Sequence, residues 1–282
     1  MKLKIDHVAI AGSRLAPLQD AFAEVGLKTD YGGPHSNGIT HMSLLGFADG
    51  SYIELISSFK TTETSPWWHE HIIGDGGPCA WAVEVEDVAE EASRAAALGI
   101  PVDGPTYYHR ERPDGTRVEW DLAIIGNEGM GALLPFVLKD RTPRHYRVST
   151  SVSVGDTELT GIGLLVLGVK DMERACNLFQ CVYGLPAPPQ LTESSGLKVS
   201  LASFHEQPFA LATPLESDGW LSERLARFGD SPCACLIGTT DLAASTKRFP
   251  LRESEPWFGR QVAWFNSPAL DRLRIGVIGL KR

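Results

Sequence analysis

Along the first sixty residues the apolar positions change period twice. Residues 3–11 alternate, with Val8 and Ile10 on one side and His7 and Ala9 on the other, the period-two signature of a strand. Over residues 14–25 the spacing lengthens: Leu15, Leu18, Phe22 and Val25 fall on one helical stripe, and Gly26 follows as a C-cap. A short strand is expected near Leu27–Tyr31, then a Gly/Pro-rich loop, then a hairpin over Thr40–Ser57 that turns at Asp49-Gly50. In that hairpin Met42 and Leu44 share one face and His41 and Ser43 the other. After the turn, Ile53 and Leu55 oppose Tyr52 and Glu54. The unit reads strand, helix, strand, strand, strand.

The same order recurs. Cys79–Val85 reads as a strand, Asp87 as an N-cap, Val88–Leu98 as a helix ended by Gly99, residues 107–123 as a hairpin turning at Pro113-Asp114-Gly115, and Leu133–Leu138 as a last strand. Residues 140–160 are polar and read as a connector. Ile162–Gly168 restarts the pattern, and Met172, Ala175, Phe179 and Val182 repeat the stripe spacing of the first helix. Pro78-Cys79-Ala80 and Asp87-Val88-Ala89 return as Pro232-Cys233-Ala234 and Asp241-Leu242-Ala243, at a constant shift; Val118-x-Trp120 returns as Val262-x-Trp264. Internal repetition of this kind decides architecture. The chain is predicted to be α+β, four βαβββ modules in two tandem cups, with domains at 1–145 and 155–282. A βαβββ module carries its helix on the convex face of a curved sheet and leaves a concave face open, where small ligands are held.

Composition narrows the function. With a net charge of −9 and a sequence pI near 5.4, the chain lacks the basic footprint of a nucleic-acid or anionic-membrane binder. No apolar run approaches the roughly 20 residues of a membrane span, and the N-terminal stretch has no apolar signal region, so a cytoplasmic location is expected. Five cysteines, an odd count set in apolar segments, read as reduced core thiols.

The candidate chemistry lies in the first half, where seven of the eight histidines fall at or before His145. If the faces carrying His7, His41 and Glu54 converge, they form a pocket with two imidazoles and a carboxylate. Each residue has a plainer reading. His7 is a ligand or a hydrogen-bonded core histidine. Glu54 is a metal ligand, a general base with a raised pKa, or the partner of an arginine. His41 is a ligand or a hydrogen-bonding wall. His35 rims the pocket or is solvated. Arg110 and Arg112 share a strand face and clamp an anion there or form a charged edge. Trp120 is core or wall, and the cluster of Trp67, Trp68, His69 and His71 is a lid or ordinary packing.

Asp6-His7-Val8 in the first strand, the loop His35 to Thr40, the run Gly50 to Ile56, Arg112-Pro113-Asp114-Gly115 with Trp120, and Pro135 to Leu138 together resemble the vicinal oxygen chelate superfamily, and within it the glyoxalase-like domain family. The resemblance implies a divalent metal in the N-terminal cup, with His7 and Glu54 as ligands; His41 joins them if its side of the strand faces inward, and the set could then hold iron, manganese or zinc. Glu54 and His7 would be catalytic. His35, His41, Arg110, Arg112 and Trp120 would bind substrate. The expected activity is isomerase, lyase or dioxygenase-type chemistry on a small oxygenated, hydroxy- or oxo-acid-like molecule. The alternative is a metal-free protein that sequesters a small hydrophobic or aromatic ligand. A third reading is a scaffold whose duplicated halves serve dimerisation; a homodimer fits any of these. The sequence departs from the family pattern near Trp81 and Phe136, where the second module would supply ligands, and at Gly163, which stands where a second-half His would be.

Overall fold

The structure, a computed structural model, describes residues 2–60, 62–187 and 189–280. In chain order the first half contains β1 (Ile5–Ala11), α1 (Leu15–Glu24), β2 (Asp30–Pro34), β3 (Thr40–Gly46), β4 (Tyr52–Ser58), α2 (His69–Ile73), β5 (Gly77–Glu84), α3 (Val88–Ala97), β6 (Val102–Glu111), β7 (Arg117–Ile125) and β8 (Phe136–Asp140). The connector forms two single turns, α4 (Arg144–Arg147) and α5 (Val152–Gly155). The second half follows with β9 (Leu159–Gly168), α6 (Met172–Tyr183), β10 (Gln190–Ser194), β11 (Val199–Ser203), β12 (Phe209–Pro214), α7 (Trp220–Phe228), β13 (Ser231–Thr239), α8 (Leu242–Arg248), β14 (Glu255–Trp257), β15 (Arg260–Trp264), α9 (Pro268–Leu273) and β16 (Ile275–Gly279).

These strands make two curled eight-stranded sheets of the same topology, β2-β3-β4-β1-β5-β8-β7-β6 and β10-β11-β12-β9-β13-β16-β15-β14. In each sheet two modules join through their first strands, β1 against β5 and β9 against β13, both antiparallel. Modules therefore pair within a half. The repeat seen in the sequence is structural: Asp87 caps α3 by accepting from the backbone N–H of Ala89 and Glu90, and Asp241 caps α8 by accepting from Ala244.

The helix-bearing faces of the two sheets meet in one apolar core, with Val8, Ile10 and Trp81 of the first half beside Phe179, Phe209 and Cys235 of the second. Trp81 donates its indole N–H to Leu133 O at 3.0 Å and lies 5.6 Å from the Phe209 ring. The concave faces point away from this core, and they differ. The second is filled: Leu221 and Leu225 of α7 pack there against Val166, Ala212 and Trp257. Leu164, not Gly163, stands where His7 does, since it pairs with Leu236 as His7 pairs with Ala82, and its apolar side chain joins that filling. The first concave face keeps a hollow.

Candidate active site

Strand register decides what enters the hollow. In β3–β4 the directly opposed pairs are Leu44 with Glu54 and Met42 with Ile56, while β1–β4 pairs His7 with Tyr52 and Ala9 with Glu54. Opposed residues share a face. His7, Tyr52, Glu54, Met42 and Leu44 therefore lie on the concave side. His41 and Ser43 lie on the other side, with Leu55 and Ser57. This corrects the expected convergence. The apolar residues of β3, not its polar ones, face Glu54, because the loop from Phe47 to Ser51 sets a register that alternation within one strand does not reveal. Gly50, at φ +86°, makes that loop possible. His41 instead packs against Phe59, with ring centroids 4.2 Å apart, and Tyr31.

The hollow is narrow: the centres of water-sized molecules have about 50 Å³ to occupy, within about 540 Å³ of space between atoms that takes in the open mouth. One wall is aromatic: Trp67, Trp68, Tyr108, Trp120 and Phe136. Trp120 and Tyr108 stack across β6–β7 with centroids 6.1 Å apart, so Trp120 is a wall. The polar residues are His7, His35, Glu54, Arg110 and Arg147. On β5 the concave-side residues are Ala80 and Ala82, because Trp81 turns into the shared core.

His7 is 5% exposed. Its Nδ1 lies 2.6 Å from Asp6 Oδ1, and its ring stacks on Tyr52 with centroids 4.6 Å apart. A proton on Nδ1 donated to Asp6 leaves Nε2 as the basic nitrogen. Asp6 is itself clamped. Arg147 donates to both its carboxylate oxygens, at 3.1 and 2.8 Å, and Arg144 donates to Oδ2. Burial opposes the charge on Asp6, but Arg147, His7 and Arg144 outweigh it and hold the carboxyl far below its ordinary range. Arg147 also pairs with Asp140, Nε to Oδ1 at 2.8 Å. Both arginines come from the connector, whose polar composition alone predicts a linker. The signal there was Arg144-x-x-Arg147 on one turn, opposite an Asp next to a strand histidine.

Glu54 is 5% exposed and lies 3.4 Å from His35 Nε2. Burial pushes its pKa up, but the His35 hydrogen bond and the nearby charges of His35, His7 and Arg110 overcome this and hold it below the ordinary value. Glu54 is thus an ionised carboxylate in an apolar hollow. It is not the acid of raised pKa that burial alone suggested, and its partner is a histidine, not an arginine. His35 is brought into the site by its own loop. Asn37 Oδ1 accepts from the N–H of Ile39 and Thr40, and Thr40 Oγ1 sits 2.9 Å from His35 Nδ1.

Arg110 faces the hollow but does not form an anion clamp. Its terminal nitrogens donate to Gly32 O at 2.6 Å and Arg147 O at 3.1 Å, tying edge strand β6 to edge strand β2 and curling the sheet shut. Arg112 lies outside the hollow, donating to Tyr146 O at 3.1 Å and facing Asp114. Around the hollow, Asp6, Glu54 and Asp140 balance Arg110, Arg144 and Arg147.

The donor set does not fit a metal. With His41 on the far face, the expected triad does not assemble, and no group of three or more His, Cys, Asp or Glu among the described residues could hold an ion. His7 and Glu54 remain, with His35 already engaged by Glu54 and Thr40.

The model of the glyoxalase-like domain family matches residues 5–178, which spans the whole first sheet and reaches into α6. The chain belongs to that family. Its fold is the vicinal oxygen chelate arrangement. A glyoxalase-like chain of this tandem form superposes, at a TM-score of 0.62, on a hypothetical protein from Staphylococcus aureus that is 12% identical, with 99% of each chain covered. It also superposes on a mutant 4-hydroxymandelate synthase from Streptomyces coelicolor, at 0.63 and 11% identity, over 99% of this chain and 92% of that one. At such identities the likeness is one of fold. No curated protein sequence matches the glyoxalase-like chain. Among the described residues no helix is long and apolar enough to cross a membrane.

Proposed function

We propose that the first cup is the active site of a proton-transfer enzyme of the isomerase or lyase class. Its substrate is a small oxygenated compound with a flat, apolar, uncharged buried end. One observation carries this: His7 and Glu54, on neighbouring parallel strands, face a single aromatic hollow, with Asp6 orienting His7 from behind. A C–H beside a carbonyl held between two such bases can lose its proton to one and regain a proton from the conjugate acid of the other. Asp6 stabilises the imidazolium when His7 holds the proton, and Arg147 keeps Asp6 ionised throughout. The aromatic wall excludes water and strengthens each charge–dipole contact inside. The balanced buried charges favour a neutral ligand, because an extra carboxylate would meet no uncommitted cation there. No step runs through a metal.

A second reading is favoured by the wall itself: a protein that binds an uncharged aromatic compound without turning it over. Deuterium uptake from D2O into a panel of aryl ketones and α-hydroxy ketones, followed by NMR, separates the two. Uptake with the protein is expected, lost by roughly 100-fold or more on His7→Gln and on Glu54→Gln. Binding of panel members without any uptake would establish the second reading. Uptake that survives both substitutions would remove His7 and Glu54 from the chemistry.

A further inference from the structure

We propose that the filled second half has a role at the first hollow: Arg224 and Phe228, on α7, hold the segment 65–76 where Trp67 and Trp68 wall the site. The segment cannot place itself. α2 is a single five-residue turn, far too short to be stable alone. Trp68, just before it, has left-handed backbone at φ +52°, a conformation that a non-glycine residue keeps only when its surroundings impose it. The anchors are therefore tertiary, and they divide into two sets.

One set belongs to the first half. The Trp68 indole N–H donates to Met130 O at 2.8 Å, and Asp75 accepts from Ser13 N–H at 2.8 Å and from its hydroxyl. The other set belongs to α7. The His71 ring stacks on Phe228, centroids 4.4 Å apart and planes 20° from parallel. Arg224 donates to Gly76 O and Pro78 O, where the segment enters β5, and to Pro232 O at 2.7 Å, where α7 enters β13. Its guanidinium carbon lies 5.3 Å from the Phe228 ring centroid. Residues 224 and 228 are one turn apart, so they share a helix face, while Leu221 and Leu225 point into the second cup. One helix thus plugs one cup and braces the rim of the other, which gives the second half a purpose without a site of its own.

The test needs no ligand, so it stands apart from any activity of the hollow. Amide hydrogen exchange is compared among the protein, Phe228→Ala, and Arg224→Lys, which keeps the cation and loses the planar fork. The N–H groups of Ile72, Gly74 and Gly76 are bonded within the segment. In both variants they are expected to exchange at least tenfold faster, while β7 keeps its protection. Acrylamide quenching of Trp67, taken as the difference between each protein and its Trp67→Phe counterpart, is expected to at least double. Protection of 72–76 equal to that of the parent in both variants would overturn the proposal. So would loosening spread evenly through β5, β7 and β13, since that reports general destabilisation.

Discussion

Replacing Asp6 by Asn probes the support behind the site most directly. The side chain keeps its shape and loses its charge. Asp6 is 1% exposed and receives Arg147 twice, Arg144 once and the His7 ring. After the substitution Arg147, 5% exposed, keeps Asp140 and the Tyr52 hydroxyl at 3.3 Å but faces an amide, with one acceptor oxygen and an NH2 group where two charged oxygens had been. Breaking a buried ion pair outright costs about 3–5 kcal/mol; with Asp140 still beside Arg147 the expected cost lies at the lower end, about 3 kcal/mol, a large part of the roughly 5–15 kcal/mol of a typical fold. In a chain of this size that corresponds to a fall in Tm on the order of 10 °C. Urea or thermal denaturation reads it. Asp6→Asn/Arg147→Met, which removes both charges, is expected to recover most of the loss. The pH dependence has a definite sign. Because the folded carboxyl lies below its unfolded value, its contribution is complete above about pH 4 and declines as pH falls below that. The Asn variant should therefore show a flatter stability curve in acid. A cost under about 1 kcal/mol, or a double variant no better than the single, would show that the clamp does not hold β1 in place.

Other outcomes follow from the same geometry. His35→Ala removes the hydrogen bond and charge that hold Glu54 down, so the Glu54 carboxyl, followed by carbon NMR, should titrate at higher pH; an unmoved titration would break that link. His41→Ala, on the convex face, should leave deuterium uptake within about twofold, and a tenfold loss would contradict the register given by its strand pairing. Burial, Arg224 and Arg227 push His71 down to about 4, so its neutral form is the folded one. Stability should then fall as pH drops from about 6.5 towards 4, by roughly 3 kcal/mol at most, and His71→Gln should flatten that slope in denaturation at pH 7 and pH 5. Cys181 is exposed and the other four cysteines are buried, so a thiol reagent should modify one cysteine rapidly and the rest on unfolding; a second fast thiol would refute this.

The candidate site was legible in part, and the divide is instructive. His7 and Glu54 stood out because a histidine and an acid inside alternating apolar strands need partners, whatever those partners are. The partners themselves were hidden. Arg144 and Arg147 sit about 140 residues from Asp6, in a stretch whose polarity reads as a linker. His35 sat in a loop where a solvated ring was the natural expectation. Its Thr40 and Asn37 contacts are local and in principle readable; its approach to Glu54 is not. Arg110 looked like a ligand clamp because charge and spacing permitted it, but a sheet that curls brings its two edges together, and its donors serve that closure.

Local order was within reach of the sequence alone. Period-two and period-3.6 spacing mark the strands and helices, and capping aspartates 154 residues apart mark the repeat; that Leu164 and not Gly163 takes the place of His7 needed the strand pairing. Those signals depend on neighbours along the chain. The identity of the facing residues does not: which side of β3 meets Glu54, which arginine neutralises Asp6, and which half braces Trp67 were decided by register, sheet closure and the packing of two curled sheets on a common core. A strand's alternation divides its side chains into two sets but carries no label for inside, and only the partner strand supplies it.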